Sequence, residues 1–239
     1  QQTGDKYQLD DVDAQVKLPS MESPLAVNGS AVFNKEKIEL TLNTGPLSKL
    51  MAGDKTTVTK KLVSKHLNAE FNGDVTMKQA LAAAGTVSLS TPSIKDLAAW
   101  AGKPMANVQP NTMGKFALSG KVAVTDKKFD FTDAKIAVDA INATGALSVN
   151  NANPAKPVVN GKLDVDKLDL NPYLGPEQPA AAQPAGGAGG AQQDWSDAPI
   201  DLGALKTFDA DLALSAGEIV VRKIKTGKAT LNLAVKGGV

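Results

Sequence analysis

The chain of 239 residues sets 26 Lys+Arg against 25 Asp+Glu, with one histidine and no cysteine. A near-neutral charge offers nothing to a polyanion, and Arg222 is the only arginine. The guanidinium fork that reads phosphates and base edges is thus nearly absent, which argues against a nucleic-acid binder. The lack of cysteine removes disulfides, thiol catalysis and thiolate metal sites while leaving the compartment open, and no run of about 18 apolar residues is present to span a bilayer as a helix.

Taken in chain order, residues 7–18 alternate through Tyr7 and Leu9, then Val12, Ala14, Val16 and Leu18. The phase slips at Asp10-Asp11, as a bulge would produce. Residues 25–33 and 37–42 form a hairpin pattern about Asn34-Lys35-Glu36. Residues 46–52 predict a short helix, with Pro46 in its first turn and Gly53 just past its end. Strands follow at 56–63 and 67–77, the second with Ala69, Phe71, Gly73 and Val75 on one face. Residues 77–84 read as a helical turn, and 85–90 return to strand. The clearest helix is predicted over 93–101, with Ser93 and Asp96 in a capping-box pattern and Ile94, Leu97, Ala98 and Ala101 sharing a face. Gly102 stops it, and residues 103–113 are loop.

Residues 114–150 are the most regular stretch. Leu118, Val122 and Val124, then Phe129 and Phe131, then Ile136 and Val138, then Leu147 and Val149 alternate with polar residues at a period of two. That is the signal for antiparallel strands with one buried and one wet face. Gly120 and Gly145 interrupt the apolar face, and Gly29, Gly73 and Gly161 repeat the device elsewhere. Repeated strand glycines imply tight bending or close backbone approach, and a sheet curved around its apolar side explains them economically. Strands continue at 158–165 and 168–170. Residues 175–193 hold no packable side chain and are expected to be disordered. Order is expected to resume at Asp194-Trp195, with a turn of helix at 199–205 and strands at 208–214, 218–224 and 229–235.

Three motifs carry a resemblance. They are STPSIKDLAAWAG at 90–102, GKLDVDKLDLNPYL at 161–174, and DWSDAPIDLGAL at 194–205 followed by DADLALSAG at 209–217. Together with the low-complexity insert, the chain from roughly residue 6 onward resembles the AsmA-like proteins. The resemblance implies a periplasmic protein of Gram-negative bacteria that takes part in outer-membrane biogenesis. It further implies an inner-membrane anchor helix ahead of Gln1, so the chain reads as a fragment of a longer protein, with the sheet over 1–174 resuming at 194–239 and truncated at its C-terminal end. The family is similar to bridge-like lipid transfer proteins, whose curved sheets carry lipid along an apolar groove. The implied partners are phospholipid or another acyl lipid and other envelope proteins. No catalytic residue is defined for the family, and no metal or cofactor is expected.

A magnitude bears on the groove. About 12 strands at roughly 4.8 Å spacing, each about 8 residues long, give one face on the order of 1,500 Å². The two helices cover about 250 Å² of it, whereas an ordinary monomer exposes apolar patches of about 300–600 Å². The face must fold onto itself as a closed sandwich, meet a partner, or hold lipid. In the lipid case Leu118, Val122, Val124, Phe129, Phe131, Ile136, Val138, Leu147 and Val149 line the groove. A transmembrane barrel fits poorly, because only 4% of residues are aromatic and such barrels need aromatic girdles. His66 has no acidic cluster beside it in sequence and reads as an exposed strand-end histidine. Asp11, Asp13, Asp209 and Asp211 read as charges on solvent-facing strand positions. No P-loop, nucleophile elbow or dinucleotide fingerprint occurs.

Overall fold

In the computed structural model, residues 8–78, 80–106, 108–154, 156–174 and 208–236 are described. They form one sheet of thirteen strands, curved and not closed into a barrel. The first half runs β1 (Asp10–Lys17), β2 (Pro24–Phe33), β3 (Glu36–Pro46), β4 (Thr56–Ser64), β5 (Asn68–Met77) and β6 (Leu81–Thr91). The second runs β7 (Phe116–Val124), β8 (Lys128–Val138), β9 (Ile141–Asn150), β10 (Val158–Asp169), β11 (Asp209–Val221), β12 (Ile224–Thr226) and β13 (Ala229–Val235). Helix α1 (Leu47–Met51) joins β3 to β4, and α2 (Ile94–Trp100) follows β6.

From β1 to β10 each strand pairs antiparallel with the next in sequence, as alternation joined by short turns dictates. The β2–β3 hairpin turns through Asn34 and Lys35, both left-handed at φ 46° and 67°, the geometry whose twist matches that of the flanking strands. The expected slip in β1 is present as a bulge between Asp10 and Asp13. Among the described residues no second sheet packs on the first, so the closed sandwich is not the architecture. The sheet is mostly antiparallel as expected; the exception is β10 with β11, which run parallel from Val158 beside Asp209 to Asp169 beside Val220. Strand β11 then pairs on its other side with β12 and β13.

Residues 77–84 are not a helical turn. Leu81, Ala82, Ala83 and Ala84 pair with Met77, Thr76, Val75 and Asp74, so the ladder overrides the helix propensity of the alanines. The helices expected at 46–52 and 93–101 form, as α1 and α2. In α2, Ser93 Oγ accepts from the Asp96 amide at 3.1 Å, and the next free amides are taken by neighbouring carbonyls, Ile94 N–H to Gly114 at 2.8 Å and Lys95 N–H to Met113 at 3.1 Å. The insert at 175–193, the resumption at Asp194-Trp195 and the helical turn at 199–205 lie outside the described residues.

Two devices bend the sheet. One is a bulge in the β7–β8 ladder, where Asp133 (φ 52°) and Ala134 interrupt the register opposite Gly120. The other is Gly73 on β5 facing Gly85 on β6. A Cβ on Gly85 would sit 2.5 Å from the Gly73 Cα, so the two backbones approach in a way no larger residue permits. Gly85→Val is expected to lower unfolding free energy by about 1–3 kcal/mol in urea titrations, as overpacking does. Gly227→Ala, which meets nothing within 4 Å, is expected to stay within about 0.5 kcal/mol of the parent.

Candidate functional site

Strand register sorts the side chains onto two faces, since directly paired residues point the same way. One row across the sheet runs Gly29, Leu40, Leu62, Ala69, Leu89, Leu118, Ile136, Ala143 and Val165. Another runs Val122, Phe131, Leu147, Gly161, Leu212 and Leu233. A third carries Val124, Phe129, Val149, Val159, Ala210 and Val235. The opposite face is polar. Several of its ion pairs join residues two apart on one strand, Lys37–Glu39 at 2.8 Å, Lys128–Asp130 at 3.0 Å and Lys162–Asp164 at 3.0 Å. Asp13 and Asp211 lie on this face, opposite Ser30 and Asn160. Asp11 sits in the β1 bulge at φ 48°, and Asp209 pairs with Lys156 at 3.1 Å.

The described residues hardly cover the apolar face. Among the described residues the buried hydrophobic side chains are Ala134, Val165, Ala210, Ala216 and Val235, none larger than valine. Larger ones on the same face stay open to solvent, with Phe129 at 36% exposure, Leu147 at 37% and Leu231 at 62%.

Between β7 and β11 this face deepens into a trough of about 490 Å³, within the range of ligand pockets. Leu118, Phe131, Ile136 and Leu147 line it, and Leu163, Leu212 and Leu214 complete the far wall. Ala134, Gly145 and Gly161 form its floor, where small residues leave the space. The Phe131 ring lies across Gly120, where a Cβ would be 2.7 Å from it.

All nine candidate groove residues therefore share one face. Leu118, Phe131, Ile136 and Leu147 enter the trough. Val122, Val124, Phe129 and Val149 extend it toward one end of the strands, and Val138 lies at the other end beside Phe116 and Ile141. Sequence reading missed Leu163, Leu212 and Leu214 as wall residues. Their alternation marked them as apolar, but Leu163 enters as the antiparallel partner of Gly145, and only the parallel β10–β11 pairing sets Leu212 beside Gly161 and Leu214 beside Leu163.

One end of the sheet is closed by α2 and the loop after it. Trp100 Nε1 donates to the Phe33 carbonyl at 2.9 Å, and its ring meets Phe33 edge-on at 5.3 Å. His66 stacks on the same indole at 5.4 Å. The expectation of an exposed histidine is therefore wrong, since only 14% of its side chain is open. Its Nε2 lies 3.7 Å from Glu36 Oε1, and Glu36 is held below its ordinary range mainly by its hydrogen bond to Lys65. Nearby, Asp139 accepts from the Met113 and Gly114 amides at 3.0 and 2.9 Å and from Tyr173 Oη at 2.8 Å. This carboxylate ties the loop, the β8–β9 turn and the turn after β10 together. Among the described residues no group of three or more His, Asp or Glu side chains is placed to hold a metal ion.

Comparison with known proteins gives no match: no family model, no curated protein and no solved structure corresponds to this chain.

Partial burial, then the hydrogen bond to Asp139, pushes the Tyr173 hydroxyl up to about 12 from an ordinary value of 10. The neutral phenol is the form the folded state favours. Its contribution is complete below pH 10 and lost as pH rises toward 12. Urea midpoints of the parent are expected to fall more steeply over that interval than those of Tyr173→Phe, which has no proton to lose.

Proposed function

We propose that this chain is a non-enzymatic lipid-handling module that binds or conducts acyl chains along the apolar face of its sheet. The observation that carries this reading is the apolar face, uncovered by any described element, with its trough between β7 and β11. An exposed apolar surface of this kind is stable in water only if something apolar occupies it for much of the time. Acyl chains suit a shallow, open trough walled by leucines and floored by alanine and glycine, because they need no polar partner from the wall.

The setting we infer is that of an AsmA-like protein, periplasmic and tethered to the inner membrane, serving outer-membrane biogenesis. Support comes from the places its three motifs occupy. The first supplies the end of β6 and α2, which caps one end of the sheet. The second supplies β10, and the last part of the third supplies β11. Those two strands form the far wall of the trough. Phospholipid is the proposed ligand, and other envelope proteins are the proposed partners.

Purified without added lipid, the chain is expected to carry phospholipid detectable by mass spectrometry. Leu147→Asp sets a carboxylate against the acyl chain and is expected to cut the bound lipid by about tenfold or more, the cost of an unpaired charge in apolar surroundings. Thr132→Asp, on the opposite face beside Lys121, is expected to leave it unchanged. A chain that carries no lipid and rebinds none after stripping would overturn this reading in favour of a structural spacer.

A further inference from the structure

The apolar face is not uncharged, and its charges differ in one respect. Glu36 pairs with Lys65 at 3.0 Å, and Glu218 pairs with Lys167 and Lys225 at 3.1 and 3.3 Å. All of these lie at the end of the sheet closed by Trp100. Lys60 lies in the middle. It stands on β4 between Leu42 of β3 and Phe71 of β5, so its side chain rises from the apolar face, and it is exposed. Among the described residues no carboxylate pairs with it. A lysine in such a position covers apolar surface with its stem while its ammonium stays in water, free to meet an anion.

We propose that Lys60 is the headgroup site of this face and binds the phosphate of a two-chain phospholipid whose tails lie across the strands. This rests on the lipid-handling reading above. The dimensions fit. Following the ladder, Lys60 pairs with Phe71, Phe71 with Val87, and Val87 with Gly120, which underlies Phe131 at the rim of the trough. That is three strand spacings, about 14 Å. One acyl chain fills half of a bilayer's ~30 Å hydrocarbon core, about 15 Å. A headgroup held at Lys60 thus brings one tail to the trough. In the other direction Leu42, Val27 and Val16 continue the apolar row to β1, another three spacings. Apolar surface on both sides of one cation suits a phosphate carrying two chains better than a single-chain carboxylate.

The test uses the 239-residue chain stripped of lipid and offered phosphatidylglycerol vesicles or monomeric palmitate, with bound lipid read by native mass spectrometry. Lys60→Gln is expected to lower phosphatidylglycerol affinity by about tenfold, as loss of one charge-assisted hydrogen bond does, with the difference shrinking as salt is raised. Lys61→Gln, one residue along on the polar face, is expected to match the parent. Undiminished phosphatidylglycerol binding by Lys60→Gln overturns this proposal and leaves the lipid reading standing. Dependence on Lys60 for palmitate but not for phosphatidylglycerol overturns the phosphate assignment. Failure of the parent and both variants to bind either probe overturns the lipid reading itself.

Discussion

An apolar sheet face that no described element covers is the constraint on which the rest of this structure depends. A sheet is ordinarily stabilised by burying one face against helices or a second sheet. Among the described residues the two α-helices are five and seven residues long, and the buried hydrophobic residues are alanines and valines lying in the sheet itself. Cohesion comes instead from the ladder and from side-chain pairs between neighbouring strands, such as Phe131 with Leu147 and Leu163 with Leu214. The small residues that give up packing, Ala134, Gly145 and Gly161, are the ones that open the trough. Stability and the proposed binding surface are therefore drawn from neighbouring residues of the same face.

The other face and the ends keep such a sheet soluble and in register. Ion pairs on the polar face are exposed and individually weak, but alternating charges along a strand make slippage by one residue costly, since each slip would turn lysines and aspartates toward the apolar side. The outermost strand β1 is exposed along its whole length and carries Asp10, Asp11, Asp13 and Lys17, charges that discourage edge-to-edge association. At the closed end Trp100 reaches from beyond β6 to the β2–β3 turn, a chord across three strands that fixes the curl. Asp139 does the same for the loop before β7 and the turn after β10. These are long-range contacts made by single side chains.

Much of this was legible in the sequence, because a period-two pattern states both the strand and the face to which each residue belongs. The Ser93 cap, the Asp10-Asp11 slip and the shared face of the groove candidates all follow from local chemistry. What could not be read is what depends on partners distant in the chain. Ala82–Ala84 look helical until Val75 and Asp74 pair with them. His66 looks exposed until Trp100, 34 positions later, stacks on it. The parallel pairing of β10 with β11 carries no local signal, and it is that pairing which adds Leu212 and Leu214 to the trough.

The central claim is that ligand meets the apolar face and not its polar reverse. Photoreactive benzoylphenylalanine placed separately at Phe131 and at Thr132, adjacent residues whose partners Val122 and Lys121 set them on opposite faces, tests it in the presence of phospholipid vesicles. Irradiation should attach phospholipid to the chain labelled at position 131 and leave the chain labelled at 132 free of it. Equal labelling at both positions, or labelling at 132 alone, would contradict the assignment of the apolar face as the lipid path.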